Sequence, residues 1–108
     1  MIQDRREKRT YPRFQINCPV SFFSFDQLGI AETLDLSLGG MKIRSRCMLF
    51  INETYDFMII VGGRAISPKG RVLRIENQLE FNYEAGVSFL DLIDHHRNQL
   101  NGFLSALL

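Results

Sequence analysis

The sequence predicts an all-β domain that ends in one α-helix, with the strands forming a small antiparallel barrel or sandwich. Two observations indicate strands: apolar and polar residues alternate in several short segments, and turn-forming residues separate those segments. A third indicates the helix, because the C-terminal segment changes to a helical period. Closing the strands into a barrel would also protect their edges from pairing with other chains.

Composition excludes several classes of protein. The chain has 108 residues, 45% of them hydrophobic and 23% charged, which fits one domain with a sizeable core. A net charge of +1 gives no overall argument for binding nucleic acid or an anionic membrane. No apolar run is long enough to span a bilayer, so we expect a cytoplasmic location without membrane insertion. Cys18 and Cys47 lack metal-ligand spacing, and we expect two small buried side chains and no metal.

Residues 1–13 are predicted to be a flexible basic arm that precedes a single domain, residues 14–108. Pro12 opposes helical geometry at Tyr11, and the arm has little apolar surface to bury, so ordering it would require a partner. Five cations and two acids give the arm a local excess of three positive charges; the cations are Arg5, Arg6, Lys8, Arg9 and Arg13.

The first half of the domain is predicted to form three strands. Residues 14–25 alternate, and Pro19 within them predicts an edge strand or a bulge. A turn is expected at residues 26–29 and a second strand at residues 30–37. The third strand is predicted to be half exposed. Met41, Ile43 and Ser45 would face the core, and they alternate with Lys42, Arg44 and Arg46, which would face solvent.

The second half begins with a buried strand near residues 55–61. Gly62-Gly63 then predicts a tight hairpin. Residues 65–75 are predicted to form a long strand that is broken or bulged at Ser67-Pro68. A turn is expected at residues 76–78.

The last strand is predicted from Leu79 to Phe89, with a bulge at Ala85-Gly86. Asp91 or Asp94 is expected to cap the helix. Its apolar stripe is predicted to comprise Ile93, Leu100, Phe103, Leu104 and Leu107.

The sequence Asp35-Leu36-Ser37-Leu38-Gly39-Gly40 combines an acid, a hydroxyl and two glycines. Because residues two apart in a strand share a face, Asp35 and Ser37 are expected on the outer face. The glycines allow a positive φ or a close approach to the backbone. The opposite, core-facing set is predicted to be Leu34, Leu36 and Leu38.

Catalysis is not indicated. His95 and His96 are adjacent on the predicted helix, where their side chains diverge by about 100°, a poor arrangement for a metal or a shared proton. Gly39-Gly40 lacks the glycine-lysine pattern of a phosphate-binding loop. We therefore expect no enzyme activity and no catalytic residues.

The arm and the Asp-x-Ser segment have complementary chemistry. A guanidinium group can bind a phosphate, or the O6/N7 edge of guanine, with paired hydrogen bonds. A carboxylate can accept hydrogen bonds from N1–H and N2–H on the opposite edge of the same base. Together the two elements suggest an anionic ligand that carries guanine, held between the arm and the strand.

These residues resemble the PilZ domain, a family of bacterial receptors for cyclic di-GMP. Arg9-Thr10-Tyr11-Pro12-Arg13 matches the RxxxR motif of that family, and residues 35–40 match its [D/N]xSxxG motif. Arg5 to Arg9 also fits RxxxR, but Arg13 directly precedes the first strand, as the second arginine of the family does. Gly70-Arg71-Val72 and residues 85–89 also look like PilZ strands.

The resemblance implies a six-stranded antiparallel PilZ-type β-barrel with a C-terminal α-helix and cyclic di-GMP on its outer face. Arg9 and Arg13 would contact phosphate and guanine, Asp35 and Ser37 would hydrogen-bond a guanine, and Gly40 would allow close approach. The motif assigns no role to Arg5, Arg6 and Lys8, which would add positive charge. Signalling through an unidentified protein effector is implied, with no cofactor, and as a monomer or a homodimer.

Two other functions remain open at the sequence level. One is a protein-interaction adaptor with the PilZ fold and little or no nucleotide binding. The other is general nucleic-acid binding through the arm, which is disfavoured by the near-neutral net charge and by the lack of an alternating aromatic and basic surface.

Overall fold

A computed structural model describes residues 11–108, which form seven strands and one helix. The strands have between three and eleven residues, and all pair antiparallel. In chain order the elements are β1 (Pro19–Ser24), β2 (Gln27–Leu36), β3 (Gly40–Ser45), β4 (Thr54–Val61), β5 (Arg64–Ile66), β6 (Lys69–Leu79), β7 (Asn82–Asp91) and α1 (Asp94–Ser105).

The strands close into a six-stranded barrel, as predicted. The sheet order is β1-β2-β3-β7-β6-β4-β5, and an additional pairing between β1 and β4 completes the ring. β5 and β6 pair with successive parts of β4, so they act as one long strand that is interrupted at Ser67-Pro68, also as predicted. Gly62 and Gly63 both have positive φ and form the two-residue hairpin between β4 and β5.

The barrel is filled by one apolar core. Phe22, Tyr55 and Phe57 lie at its centre, and the rings of Phe22 and Tyr55 meet edge-to-face with centroids 5.4 Å apart. Burying one such aromatic side chain stabilises the fold by about 1.5–3 kcal/mol. Cys18 lies in this core, and burial raises the pKa of its thiol, whereas Cys47 is only partly buried.

Helix α1 contributes Leu100 and Leu104 to the core, and Phe103 packs beside them. The predicted stripe was too long. Ile93 precedes the helix as its N-cap residue, Leu107 follows its last turn, and both are exposed. Neither predicted aspartate caps the helix. Asp94 instead lies in the first turn, where a negative charge favours the helix dipole.

Two further predictions were wrong. β1 is not an edge strand, because it pairs with both β2 and β4; Pro19 is tolerated as its first residue. No turn forms at residues 76–78, because β6 continues to Leu79 and the chain reverses at residues 80–81. The irregularities near Ala85-Gly86 lie on the facing strand β6.

Candidate functional site

Asp35 is presented by a bulge near the end of β2. Thr33 pairs with Ile43 and Asp35 pairs with Lys42, so one extra residue, Leu34, is accommodated between them. The bulge changes which side chains face the core, as such bulges commonly do. Consequently Thr33 is fully buried and Leu34 is not part of the core, contrary to the prediction for Leu34. Leu36 is buried as predicted, and Leu38 packs partly against the core.

Arg13 reaches Asp35. Its Nη1 lies 3.3 Å from Oδ1 and 3.2 Å from Oδ2 of that carboxylate. The backbone holds the two segments together, because Phe14 and Leu36 exchange hydrogen bonds of 3.0 Å and 2.9 Å. The Arg13 side chain is 51% exposed and that of Asp35 only 17%. The second arginine of one motif therefore lies directly on the acid of the other.

Asp35 is also anchored by the backbone of β3. Its Oδ1 accepts a hydrogen bond of 3.1 Å from the backbone N–H of Lys42 on β3. The carboxylate is thus held by both the Lys42 N–H and the Arg13 side chain.

Ser37 does not share the outer face with Asp35. It is buried, and its hydroxyl accepts hydrogen bonds from the N–H groups of Gly39 and Gly40 at 3.1 and 3.2 Å. The same hydroxyl donates to the carbonyl of Gly40 at 3.2 Å. One donor and two acceptor positions are all that a serine hydroxyl has. Ser37 therefore closes the turn between β2 and β3 and has no hydrogen-bonding position left for another group.

The two glycines are required by close contacts. A Cβ on Gly40 would lie 2.3 Å from the carbonyl oxygen of Val87 on β7, the strand that pairs with β3. A Cβ on Gly39 would lie 2.9 Å from the ring of Tyr11, which covers the turn. The glycines therefore allow the turn to pack against β7 on one side and against the segment that carries Arg13 on the other.

Beyond Asp35, charged side chains continue across the outer face of the barrel. Lys42 on β3 and Arg74 on β6 both pair with Gly86 of β7, so Asp35, Lys42, Gly86 and Arg74 form one row. A Cβ on Gly86 would lie 2.9 Å from Cζ of Arg74, so the missing side chain lets this guanidinium lie across β7.

Glu76 joins these cations into a network. Its carboxylate lies 3.0 Å from Nζ of Lys42 and 2.6 Å from Nε of Arg74. Glu84 lies 3.9 Å from Lys42. The hydrogen bond with Glu76 raises the pKa of Lys42, and the hydrogen bond from Lys42 lowers the pKa of Glu76. Both groups therefore remain charged near neutral pH.

A second row runs beside the first. Gly40 pairs with Ser88, and Ser88 pairs with Arg71, whose exposed side chain makes no ion pair within residues 11–108. Sequence reasoning missed Lys42, Arg71 and Arg74 as neighbours of the motif. The alternation could have indicated Lys42, two residues after Gly40, but the strand order β3-β7-β6 could not be derived from it.

The predicted site residues are thus partly brought together. Arg13 and Asp35 are in contact, and Ser37 and Gly40 build the adjoining turn. The other predicted cations lie outside the described residues; these are Arg5, Arg6, Lys8 and Arg9.

No group of three or more metal-ligating side chains within residues 11–108 is arranged to hold a metal ion. In that same part of the chain, no helix is long and apolar enough to cross a membrane.

Residues 4–106, nearly the whole chain, match the model of the PilZ domain. The chain belongs to the PilZ domain family. Among curated proteins, none matches it. PilZ domains are receptor and adaptor domains, and the closed barrel with one C-terminal helix described above is their fold.

Solved PilZ structures show the same fold at low sequence identity. YcgR from Escherichia coli, in complex with c-di-GMP, has 18% identity and a TM-score of 0.77, and the match covers 93% of this chain and 46% of YcgR. The inhibitor of motility MotI from Bacillus subtilis has 16% identity and the same TM-score, over 93% of this chain and 51% of MotI. This PilZ chain therefore spans about half the length of those two chains.

The PilZ domain of YcgR alone, with c-di-GMP, matches at 17% identity and a TM-score of 0.74. That match covers 91% of this chain and 90% of the other. The similarity thus extends over nearly all of that PilZ domain.

Proposed function

We propose that this protein is a c-di-GMP receptor that binds its ligand between the Arg13 segment and the outer face at the end of β2. The contact between Arg13 and Asp35 carries the proposal, because it joins the two motifs at one point on the barrel surface. Membership of the PilZ family supports it, as does the c-di-GMP complex of the similar protein YcgR. In signalling, an effector protein would respond to the surface that the bound ligand changes.

The chemistry of the pair fits a guanine nucleotide. Arg13 gives Asp35 only its Nη1, so its remaining N–H groups can bind a phosphate or the O6/N7 edge of guanine. Asp35 can accept hydrogen bonds from N1–H and N2–H of a guanine. A guanine on this face would therefore have hydrogen-bonding partners on both residues.

Ser37 and Gly40 take a supporting role in this proposal. Ser37 closes the turn that leads into β3, and the N–H of Lys42 on β3 anchors Asp35. Gly40 allows this turn to lie against β7. Arg9 would bind a ligand phosphate, and Arg5, Arg6 and Lys8 would add positive charge near it. Lys42, Arg71 and Arg74 bring further cations to the same face.

Titration calorimetry with c-di-GMP tests the proposal. The wild-type protein should release or absorb measurable heat, and Arg13→Ala should weaken binding by roughly ten- to a hundredfold. That loss corresponds to about 1.5–3 kcal/mol, the usual value of a hydrogen bond to a charged group. Asp35→Ala should weaken binding to a similar degree.

Arg64→Ala is a matched control, because Arg64 is an exposed arginine on β5, beside the hairpin of Gly62 and Gly63. Its dissociation constant should equal that of the wild type. If high micromolar c-di-GMP produces no heat with the wild type, the receptor proposal is wrong and an adaptor that does not bind nucleotide becomes the better explanation. Equal binding by Arg13→Ala and wild type would instead show that the ligand lies elsewhere.

A further inference from the structure

A second surface of the barrel is apolar and lies outside the candidate ligand site. It is the outer face of β1 and its two neighbours, here called the apolar face. Ser21 pairs with Ile30 of β2 on one side and with Met58 of β4 on the other, and Phe23 pairs with Leu28. The apolar face comprises Pro19, Ser21, Phe23, Leu28, Ile30, Met58 and Ile60.

The exposure of these side chains is large for strand residues. Leu28 is 77% exposed, Ile30 69% and Phe23 50%, and Met58 and Ile60 are exposed as well. Together they present on the order of 600 Å² of surface, the upper limit of the largest patch on a typical monomer. One partner of a standard protein interface buries roughly 800 Å², so this face supplies most of one side of a stable dimer.

The charges around this face are already paired. Arg44 lies 2.9 Å from Glu32 at the β2 side, and Lys69 lies 3.5 Å from Asp56 at the β4 side. Asp56 of β4 pairs with Phe23, and Glu32 of β2 pairs with Pro19, so these two ion pairs border the apolar face directly. A partner of this face would therefore present an apolar centre and a polar rim.

The face also has a shape that can fit itself. The small side chain of Ser21 leaves a trough of about 340 Å³ between Ile30 and Met58. The exposed ring of Phe23 stands two residues further along the same face of β1. A two-fold axis in the interface that crosses β1 between Ser21 and Phe23 would place each ring over the other copy's trough. Leu28 would then face Ile30 of the other copy, and Met58 would face the other copy's Asp56, which is paired with Lys69.

We propose that two copies of this chain form a symmetric dimer through the apolar face, with Phe23 of each copy in the Ser21 trough of the other. The area of the face and its self-complementary shape support a second copy as the occupant. The Arg13–Asp35 pair lies near the opposite end of β2 from Leu28 and remains accessible in such a dimer. Dimer formation is therefore independent of the proposed ligand binding.

Sedimentation velocity over roughly a hundredfold range of protein concentration tests this proposal, because dimers form by mass action. The mass of the wild type should rise from one chain to two. Ile30→Glu should raise the dimer dissociation constant at least about tenfold, since it places a charge in the buried centre. Met58→Glu should act in the same way and serves as a second variant if Ile30→Glu does not fold, as judged by circular dichroism.

Two further variants separate this geometry from general stickiness. Leu79→Glu changes a residue of similar exposure, 62%, at the end of β6 outside the apolar face, and should leave dimerisation unchanged. Ser21→Phe fills the trough while making the face more apolar, and should weaken the dimer. A wild type that stays monomeric throughout, a dimer unaffected by both glutamate variants, or a dimer strengthened by Ser21→Phe would each overturn the proposal.

Discussion

At the scale of single residues, the Asp-x-Ser-x-x-Gly segment combines one partly exposed carboxylate with residues that build a turn. Asp35 keeps a partly exposed carboxylate in contact with Arg13. All hydrogen bonds of the Ser37 hydroxyl are made within the turn. At Gly40, the carbonyl of Val87 leaves no space for a Cβ. Two of the motif residues are therefore occupied in building the turn and packing it against β7.

The close contact at Gly40 leads to a stability prediction. Gly40→Ala would place a Cβ 2.3 Å from a backbone oxygen, which only a shift of β3 or β7 can relieve. We expect the free energy of unfolding to fall by about 1–3 kcal/mol, the usual cost of overpacking. Urea unfolding followed by circular dichroism measures the change.

Gly102→Ala is the matched comparison, because a Cβ at this helical position meets no atom within 4 Å. The same substitution should here raise the free energy of unfolding by about 1 kcal/mol, since alanine favours a helix over glycine. Similar effects of the two substitutions would show that the contact with Val87 does not constrain residue 40.

At the scale of elements, the hairpin between β6 and β7 shows why the predicted turn was misplaced. Glu76-Asn77-Gln78 is polar, which favoured a turn in the sequence. In the fold, Asn77 and Gln78 pair with β7, and Glu76 binds Lys42 and Arg74. The chain then turns at residues 80–81, where Phe81 has a φ of 58°.

The positive φ of Phe81 indicates that a substitution at this position can raise the stability of the protein. A residue with a Cβ in this left-handed conformation costs about 1–2 kcal/mol, and asparagine tolerates it better than phenylalanine. Since Phe81 is 64% exposed, replacing it loses little burial. Phe81→Asn should raise the melting temperature and the free energy of unfolding, the latter by about 1 kcal/mol.

Phe25→Asn is the control for that change. Phe25 is also an exposed turn residue, in the hairpin between β1 and β2, but it does not have a positive φ. Its replacement should bring no such gain. A gain of the same size in both variants would mean that loss of an exposed aromatic ring, and not backbone strain, is responsible.

At the scale of the whole molecule, the charged network joins β3 to the β6–β7 hairpin, which is distant from it in sequence. Lys42 lies on β3, Glu84 on β7, and Glu76 with Arg74 on β6. The hydrogen bond between Lys42 and Glu76 favours the charged form of both groups, and the ion pairs link the strands beside the candidate ligand site.

The network predicts a dependence of stability on pH. Because folding lowers the pKa of Glu76 from 4.5, its contribution is present above pH 4.5 and is lost as the pH falls through the lower, folded value. Folding raises the pKa of Lys42 from 10.5, so its contribution is lost only at still higher pH.

Glu76→Gln should therefore destabilise the protein at pH 7, by about 0.5–1 kcal/mol for a partly exposed ion pair. This difference from the wild type should shrink below pH 4.5. Urea unfolding at a series of pH values measures it, with Glu80→Gln as a control, because Glu80 makes no ion pair within the described part of the chain. A difference that stays constant down to strongly acidic pH would contradict the assignment.

Local patterns predicted most of the fold. Alternation located the strands, Gly62-Gly63 located a hairpin, and Ser67-Pro68 located the break between β5 and β6. The errors occurred where pairing outweighed local preference. Pro19 begins an internal strand, Leu34 is displaced by a bulge, and Ser37 turns inward to satisfy the backbone of its own turn.

The sequence by itself determined the family of this protein and the residue types of its candidate site, because both are written in contiguous motifs and short-range alternation. Only the tertiary structure decided how those residues are used. Closure of the barrel sets β3, β7 and β6 side by side, which brings Lys42, Arg71 and Arg74 to the motif. It also turns the uncharged face of β1 outward. The physical reason is that strand order and register depend on contacts between distant segments, which no local pattern encodes.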